Sequence, residues 1–265
     1  MKGRLLGSPP SKSCYHYPVY WDIAFRDETK AECKFVSAVS EKYLSGKAHR
    51  VLDIGCGGGR LTVGLAARGY EVTAYDLNED CIGYVRKRLR RRRLNAEVVK
   101  ADMREFVASP KCDIAINTVS TFRHLLNDRD ALSHLKCTAN SVRRGGIYIL
   151  GLHLLPPDAD LEDEEHWIAR HSNTSVDVTM KVLDASRKSR LETLRFTLDV
   201  RSANNHFVIE SDFRMRIYTA TQLKSLLAKS DDWELVDVFD YWYDIEQSLE
   251  LNDELGDTVC VLKRK

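Results

Sequence analysis

The stretch VLDIGCGGGR, residues 51 to 60, sets one carboxylate and four glycines ahead of an arginine. Glycines at that density keep side chains off the backbone and leave its NH groups open to a ligand. The neighbours decide which ligand. The dinucleotide fingerprint GxGxxG wants glycine or alanine in its sixth place, and here Gly55, Gly57 and Arg60 fill the first, third and sixth. No GxxxxGK followed by Ser or Thr occurs, which excludes a phosphate loop of the NTPase kind. Asp53, two residues before the first glycine, would repel a pyrophosphate and attract an ammonium or sulfonium group. Asp76 comes 21 residues after Gly55, the place from which an acidic side chain accepts both hydroxyls of a ribose. In KADM, the Asp102 carboxylate is suited to accept from an exocyclic amino group while the Met103 NH donates to a ring nitrogen. A cationic group, a ribose and an adenine together describe S-adenosylmethionine.

These residues must be held at strand ends, and the pattern around them supplies the strands. RVLDIG, YEVTAYDL, AEVVKAD, CDIAIN and IYILGLHLL read as five strands. Between them lie a short helix in GRLTVGLAARG, a helix capped by Asn78, and a helix opened by Asp128 with Leu132, Leu135, Ala139 and Val142 inward. Five alternations of strand and helix predict a Rossmann-like α/β fold, a seven-stranded mostly parallel sheet with helices on both faces. Its last two strands are WELVDVFDYW and DTVCVLK, after a helix in TATQLKSLLAK with a capping box from Thr219 to Gln222. After the fifth strand, TSVDVTMKVL, LETLRFTLDV and FVIESDFRMRIY alternate apolar with polar residues and predict an antiparallel β insertion over 157–218, behind an acidic loop DADLEDEE. Upstream, residues 1–13 read as a mobile tail, CYHYPVYWDIAF is dense in aromatic residues, and a helix capped by Asp27 runs toward Gly46. Residues 14–265 then form a single domain.

VLDIGCGGGR, YDLNED, KADM and the DIAINTVSTFRHLL segment with RRGGIYIL after it resemble, in order and spacing, the motifs of class I S-adenosylmethionine-dependent methyltransferases. The resemblance covers roughly residues 50 to 150. It implies that Asp53, Gly55 and Gly57 line the methionine part, Asp76 with its neighbour Leu77 the ribose, Asp102 and Met103 the adenine, and Asn117 the floor near the methyl donor. WDIAF, the late meander and RIYTATQLKSLL look like the small-molecule branch that includes amino-sugar and glycine N-methyltransferases.

Methyl transfer from a sulfonium is an in-line displacement that asks for alignment and desolvation of the nucleophile and requires no metal. His124 in STFRHLL and His153 past the fifth strand are the candidates for base or acceptor-orienting group. Tyr20 and Trp21 are candidate lid contacts, and Arg123 a candidate partner for an acidic acceptor. Against a nucleic-acid partner stand the net charge of +1, from 40 basic and 39 acidic residues, and a fourth strand ending Asn117-Thr118-Val119-Ser120 in place of an Asn/Asp-Pro-Pro-aromatic motif. The basic run Arg86 to Arg93 suits the carboxyl end of its own helix. Seven scattered cysteines without a CxxC pair point to reduced thiols and a cytoplasmic setting, and no stretch has the length and apolarity of a signal peptide or membrane span. The expected partner is a small-molecule acceptor; an RNA or protein acceptor, and a non-catalytic cofactor-binding module, are the alternatives. Oligomeric state, and nitrogen or oxygen as the nucleophile, are not fixed by the residues.

Overall fold

The computed structural model describes residues 13–265, so the expected tail lies outside the described residues apart from Ser13. A short 3-10 turn, Cys14–His16, leads into α1 (Pro18–Ala24) and α2 (Thr29–Tyr43). Five strands follow, separated by helices except between the third and fourth: β1 (Arg50–Ile54), α3 (Arg60–Ala66), β2 (Glu71–Asp76), α4 (Glu79–Arg92), β3 (Glu97–Lys100), β4 (Cys112–Asn117), α5 (Asp128–Ser141) and β5 (Val142–His153). Four antiparallel strands, β6 (Glu164–His171), β7 (Thr174–Ser186), β8 (Leu191–Ser202) and β9 (His206–Arg216), precede α6 (Ala220–Ala228), β10 (Trp233–Phe239) and β11 (Asp257–Arg264).

The main sheet has the order β10-β11-β5-β4-β1-β2-β3, and all its pairings are parallel except those of β11 with its two neighbours. The chain steps outward from β1 to β3 and then returns to the other side of β1 with β4. That reversal opens a crevice at the carboxyl ends of β1 and β4, where open α/β sheets bind ligands. Alternation along β1 divides the core: Val51 faces the layer of α2, α3 and α4, and Leu52 and Ile54 face that of α5 and α6. Burial on both faces is why these strands read as continuous apolar runs. A third apolar cluster joins one face of the insertion sheet, through Val176, Leu198 and Ile209, to Trp21, Phe25 and their aromatic neighbours.

Three local expectations change. The insertion has four strands, because β6 begins inside the acidic segment at Glu164 and pairs with β7 along its length. The cap of α2 is Glu28, without a side-chain bond, in place of Asp27. Val142 opens β5 and does not close α5, although it is fully buried as the helical reading required.

Candidate active site

The loop after β1 takes its shape from glycines with positive φ. Gly55, Gly57 and Gly59 have φ of +63°, +50° and +69°, values that other residues rarely adopt. A Cβ on Gly55 would lie 2.7 Å from Thr121 Cγ2, and one on Gly58 2.9 Å from Asp22 Cβ, so the loop is pressed between α1 and the turn after β4. On Gly57 the nearest atom to a Cβ would be Trp21 Cδ1 at 3.9 Å, which leaves that backbone open toward the cleft. The cleft holds about 930 Å³ and is lined by Asp53, Gly55, Gly57, Asp76, Leu77, Asp102, Met103, Trp21 and His124 among others. Its size is within the range of small-molecule sites.

Each carboxylate is held before any ligand arrives. Asp53, 4% exposed, accepts from the Thr62 hydroxyl at 2.5 Å, and burial pushes its pKa up to about 6 against the pull of Thr62 and Arg60. Asp76 accepts from the Gly57 NH at 2.8 Å on one oxygen and from the Asn78 NH at 2.8 Å on the other. Burial raises its pKa and those NH groups pull it back. Both oxygens keep a free lone pair for a diol. Asp102 is gripped by Arg104, whose Nε lies 3.0 Å and whose Nη2 lies 2.6 Å from its two oxygens, and this contact lowers its pKa. The Met103 carbonyl is fixed by His134 Nδ1 at 3.0 Å. Leu77 is 65% exposed at the rim. Asn117, 2% exposed at the end of β4, has both amide atoms buried without a protein partner and is itself not among the cleft-lining residues, although its neighbour Thr118 is.

The cleft also carries a dyad formed across 109 residues: the Tyr15 hydroxyl stands 2.9 Å from His124 Nε2. Burial, helped by Arg123, lowers the His124 pKa to about 4, so the imidazole is neutral at pH 7, and burial pushes the Tyr15 phenol up. Trp21 packs edge-on against Tyr15 with ring centres 5.1 Å apart. The segment is pinned at two points, because the Tyr15 carbonyl accepts from Asn78 Nδ2 at 3.1 Å and Cys14 N donates to Ser211 Oγ of β9 at 2.8 Å. Tyr15 belongs to the aromatic stretch that the sequence singles out, but its partner is set only by the fold.

Three candidates stand elsewhere. Arg123 is 4% exposed, ion-paired with Glu192, and donates from Nε to the Arg216 carbonyl at 2.9 Å, so it ties the turn after β4 to the insertion and is not free to bind an acidic acceptor. His153 bonds Asp257 at 3.0 Å and is not among the cleft-lining residues. Tyr20 turns toward Phe207 of β9, ring centres 5.4 Å apart, and also lies off the cleft. Two further residues emerge. Arg60 lines the cleft and pairs with Glu32, a fully buried residue of α2 that also accepts from Thr118 Oγ1 at 2.5 Å. The arginines 90 to 93 are exposed at the end of α4, at the strand edge opposite the cleft. Among the described residues, no group of His, Cys, Asp and Glu is arranged to hold a metal, and no helix is long and apolar enough to cross a membrane.

The family model for a methyltransferase domain matches residues 51–146, the span of β1 to the start of β5. Glycine N-methyltransferase of Rattus norvegicus is 29% identical over 205 residues, which cover 69% of this chain and 68% of that protein. Matches with other curated proteins span 57% and 42% of those proteins' lengths. Among solved structures, a S-adenosylmethionine-dependent methyltransferase from Clostridium acetobutylicum aligns with a TM-score of 0.75 at 16% identity, covering 95% of this chain and 99% of that one. The sugar N-methyltransferase of a Streptoalloteichus species gives 0.71 at 14% identity, covering 100% and 98%. These two likenesses concern the fold.

Proposed function

We propose that this chain is a class I S-adenosylmethionine-dependent methyltransferase that transfers the methyl group to a nitrogen or oxygen of a small molecule, a reading supported by the methyltransferase-domain match over residues 51–146. The observation that carries the reading is the set of three carboxylates, Asp53, Asp76 and Asp102, lining one cleft that also holds the Tyr15–His124 dyad. The residues fit the cofactor: Asp53 would meet its ammonium group, Asp76 and Leu77 its ribose, and Asp102 and the Met103 NH its adenine, while the open backbone at Gly57 would give it room. When bound, the cofactor supplies a methyl group on a sulfonium, which leaves a neutral thioether once the acceptor's lone pair has taken the carbon. The chain's own contribution is placement. Trp21, Tyr15 and the insertion sheet close over the acceptor and exclude water.

An amine acceptor is favoured over an alcohol. A neutral imidazole with its pKa lowered to about 4 is a poor proton acceptor from an alcohol, but it holds and orients an amine that reaches the site with its lone pair free. After transfer, the surplus proton on the methylated nitrogen passes to solvent. The relative named as a glycine N-methyltransferase supports a small amine-bearing acceptor. Asn117, with both amide ends unsatisfied, is the floor residue of this reading. All seven cysteines are free, which supports a cytoplasmic setting. The test is formation of S-adenosylhomocysteine with panels of small amines, alcohols and thiols. Turnover with amines is expected; turnover only with RNA or protein, or with no acceptor despite cofactor binding, overturns the reading.

A further inference from the structure

A second polar site lies away from the cleft, where the insertion sheet joins the helical layer. Arg190 sits in the turn between β7 and β8 with φ of +57°, a left-handed conformation unusual for a long side chain. Arg216 ends β9 and is 5% exposed, and Tyr218, two residues on, is fully buried. The two guanidinium groups lie 5.1 and 5.2 Å from the centre of the Tyr218 ring. One carboxylate serves the cations here. Asp128, the first residue of α5, is paired with Arg216 Nη2, stands 3.7 Å from Arg190 Nη1, and stands 3.3 Å from Lys229 Nζ. The neighbouring carboxylate of Glu192 is taken up by Arg123.

Five polar atoms at this joint are buried without a protein partner: Nε and Nη2 of Arg190, Nε and Nη1 of Arg216, and the Tyr218 hydroxyl. Three cations against one carboxylate leave an excess of two positive charges in a partly desolvated place. Buried charges and donors left without partners are strongly disfavoured, and planar guanidinium groups match the oxygens of an oxyanion. The joint is open on one side, since the side chains of Asp128 and Lys229 are 39% and 54% exposed. None of Arg190, Arg216 and Tyr218 lines the methyl-transfer cleft.

We propose that Arg190, Arg216 and Tyr218 form a binding site for a phosphate group, whose two negative charges match the excess at the joint. It does not rest on the methyl-transfer reading. Burial, and Arg216 beside it, already lower the Arg190 pKa, the direction that an anion between them would reverse.

The experiment titrates the full chain with inorganic phosphate at constant ionic strength and follows thermal unfolding. The arms are the wild type, Arg190→Gln, Arg190→Lys and Tyr218→Phe. Saturable stabilisation of the wild type is expected, with apparent affinity at least tenfold weaker in Arg190→Gln and intermediate in Arg190→Lys, which keeps the charge but loses the fork. A phosphomonoester such as glycerol phosphate, run in parallel, separates a free ion from a phosphorylated metabolite as the source. In phosphate-free buffer Arg190→Gln is expected to melt no lower than the wild type, because it removes one of three cations that share the Asp128 carboxylate; a purely structural arginine would give a clear drop. Equal responses of wild type and Arg190→Gln, or no stabilisation by phosphate beyond that of chloride, would overturn the proposal.

Discussion

Replacing Asp53 with Asn should make the ligand-free protein more stable and the cofactor complex much weaker. Burial raises the Asp53 pKa from 3.8 to about 6, and that difference corresponds to roughly 3 kcal/mol of cost for keeping the carboxylate ionised at pH 7. The sign follows from proton binding. The folded state holds the proton more tightly than the unfolded one, so this group's contribution falls as pH rises from 3.8 through 6 and is fully unfavourable above that. An asparagine keeps the bond with Thr62 and removes the charge, so a gain of about 1–3 kcal/mol in urea unfolding at pH 7 is expected once relaxation is allowed for. The cofactor works in the other direction. An ammonium about 4 Å from the carboxylate gains about 4 kcal/mol at an effective dielectric of 20. The amide recovers a hydrogen bond, which leaves a loss of about 2–3 kcal/mol, on the order of a hundredfold in Kd. The pH dependence adds an independent check. With a pKa of about 6, roughly nine-tenths of Asp53 is ionised at pH 7 and one-tenth at pH 5, so wild-type affinity should fall about tenfold between them while that of Asp53→Asn stays flat. Calorimetric titration with S-adenosylmethionine at both pH values, beside urea unfolding without ligand, measures all three quantities. A variant that is less stable and binds within about threefold of the wild type would refute the role assigned to Asp53.

Arg104→Gln should raise the KM for S-adenosylmethionine about tenfold with little change in kcat, because it frees the Asp102 carboxylate from its clamp without touching the methyl group; equal losses in kcat and kcat/KM would contradict this. Tyr15→Phe and His124→Gln should each lower kcat about three- to thirtyfold, leave cofactor Kd unchanged, and combine to less than the sum of their separate free-energy effects, since each removes the same hydrogen bond; strictly additive losses would argue against a dyad. His134 is fully buried between Met103 and Tyr148, and burial lowers its pKa from 6.5 to about 4. The unfolded state then takes up the proton first, so stability should fall by roughly 3 kcal/mol as pH drops from 6.5 to 4. Urea midpoints across that range should show a shallower slope in His134→Gln.

That Asp53, Gly57, Asp76 and Asp102 share one cleft was legible because each of these parts is local. A glycine turn needs its own φ values, and Asp53, Asp76 and Asp102 stand at or just beyond strand ends that apolar runs define, so one-dimensional spacing carries the geometry. The surroundings of Tyr15, Arg123 and His153 depend on pairings between distant segments. Tyr15 meets His124 only after the aromatic segment is pinned between α4 and β9, and Arg123 loses its freedom to Glu192, which β8 brings from 69 residues away. His153 is likewise claimed by Asp257 through the register of β5 with β11. The strand β6 escaped a reading by alternation because only Ala169 along its length is buried, as befits the edge of a sheet with one face in solvent. Asp27 lost the cap of α2 to its neighbour, a displacement of one residue that composition cannot decide.

The cleft as a cofactor site is tested most directly by titrating the wild type and Asp76→Ala with S-adenosylmethionine under identical conditions. Asp76 is fixed by two backbone NH groups, so its removal strips the anchor that holds Gly57 in place and, in the proposed site, the acceptor for the ribose hydroxyls. Binding of one cofactor per wild-type chain is expected, with affinity weakened at least a hundredfold in Asp76→Ala while the variant's far-ultraviolet spectrum stays unchanged. No heat of binding in the wild type, or equal affinity in the two proteins, would contradict the assignment of this cleft to S-adenosylmethionine.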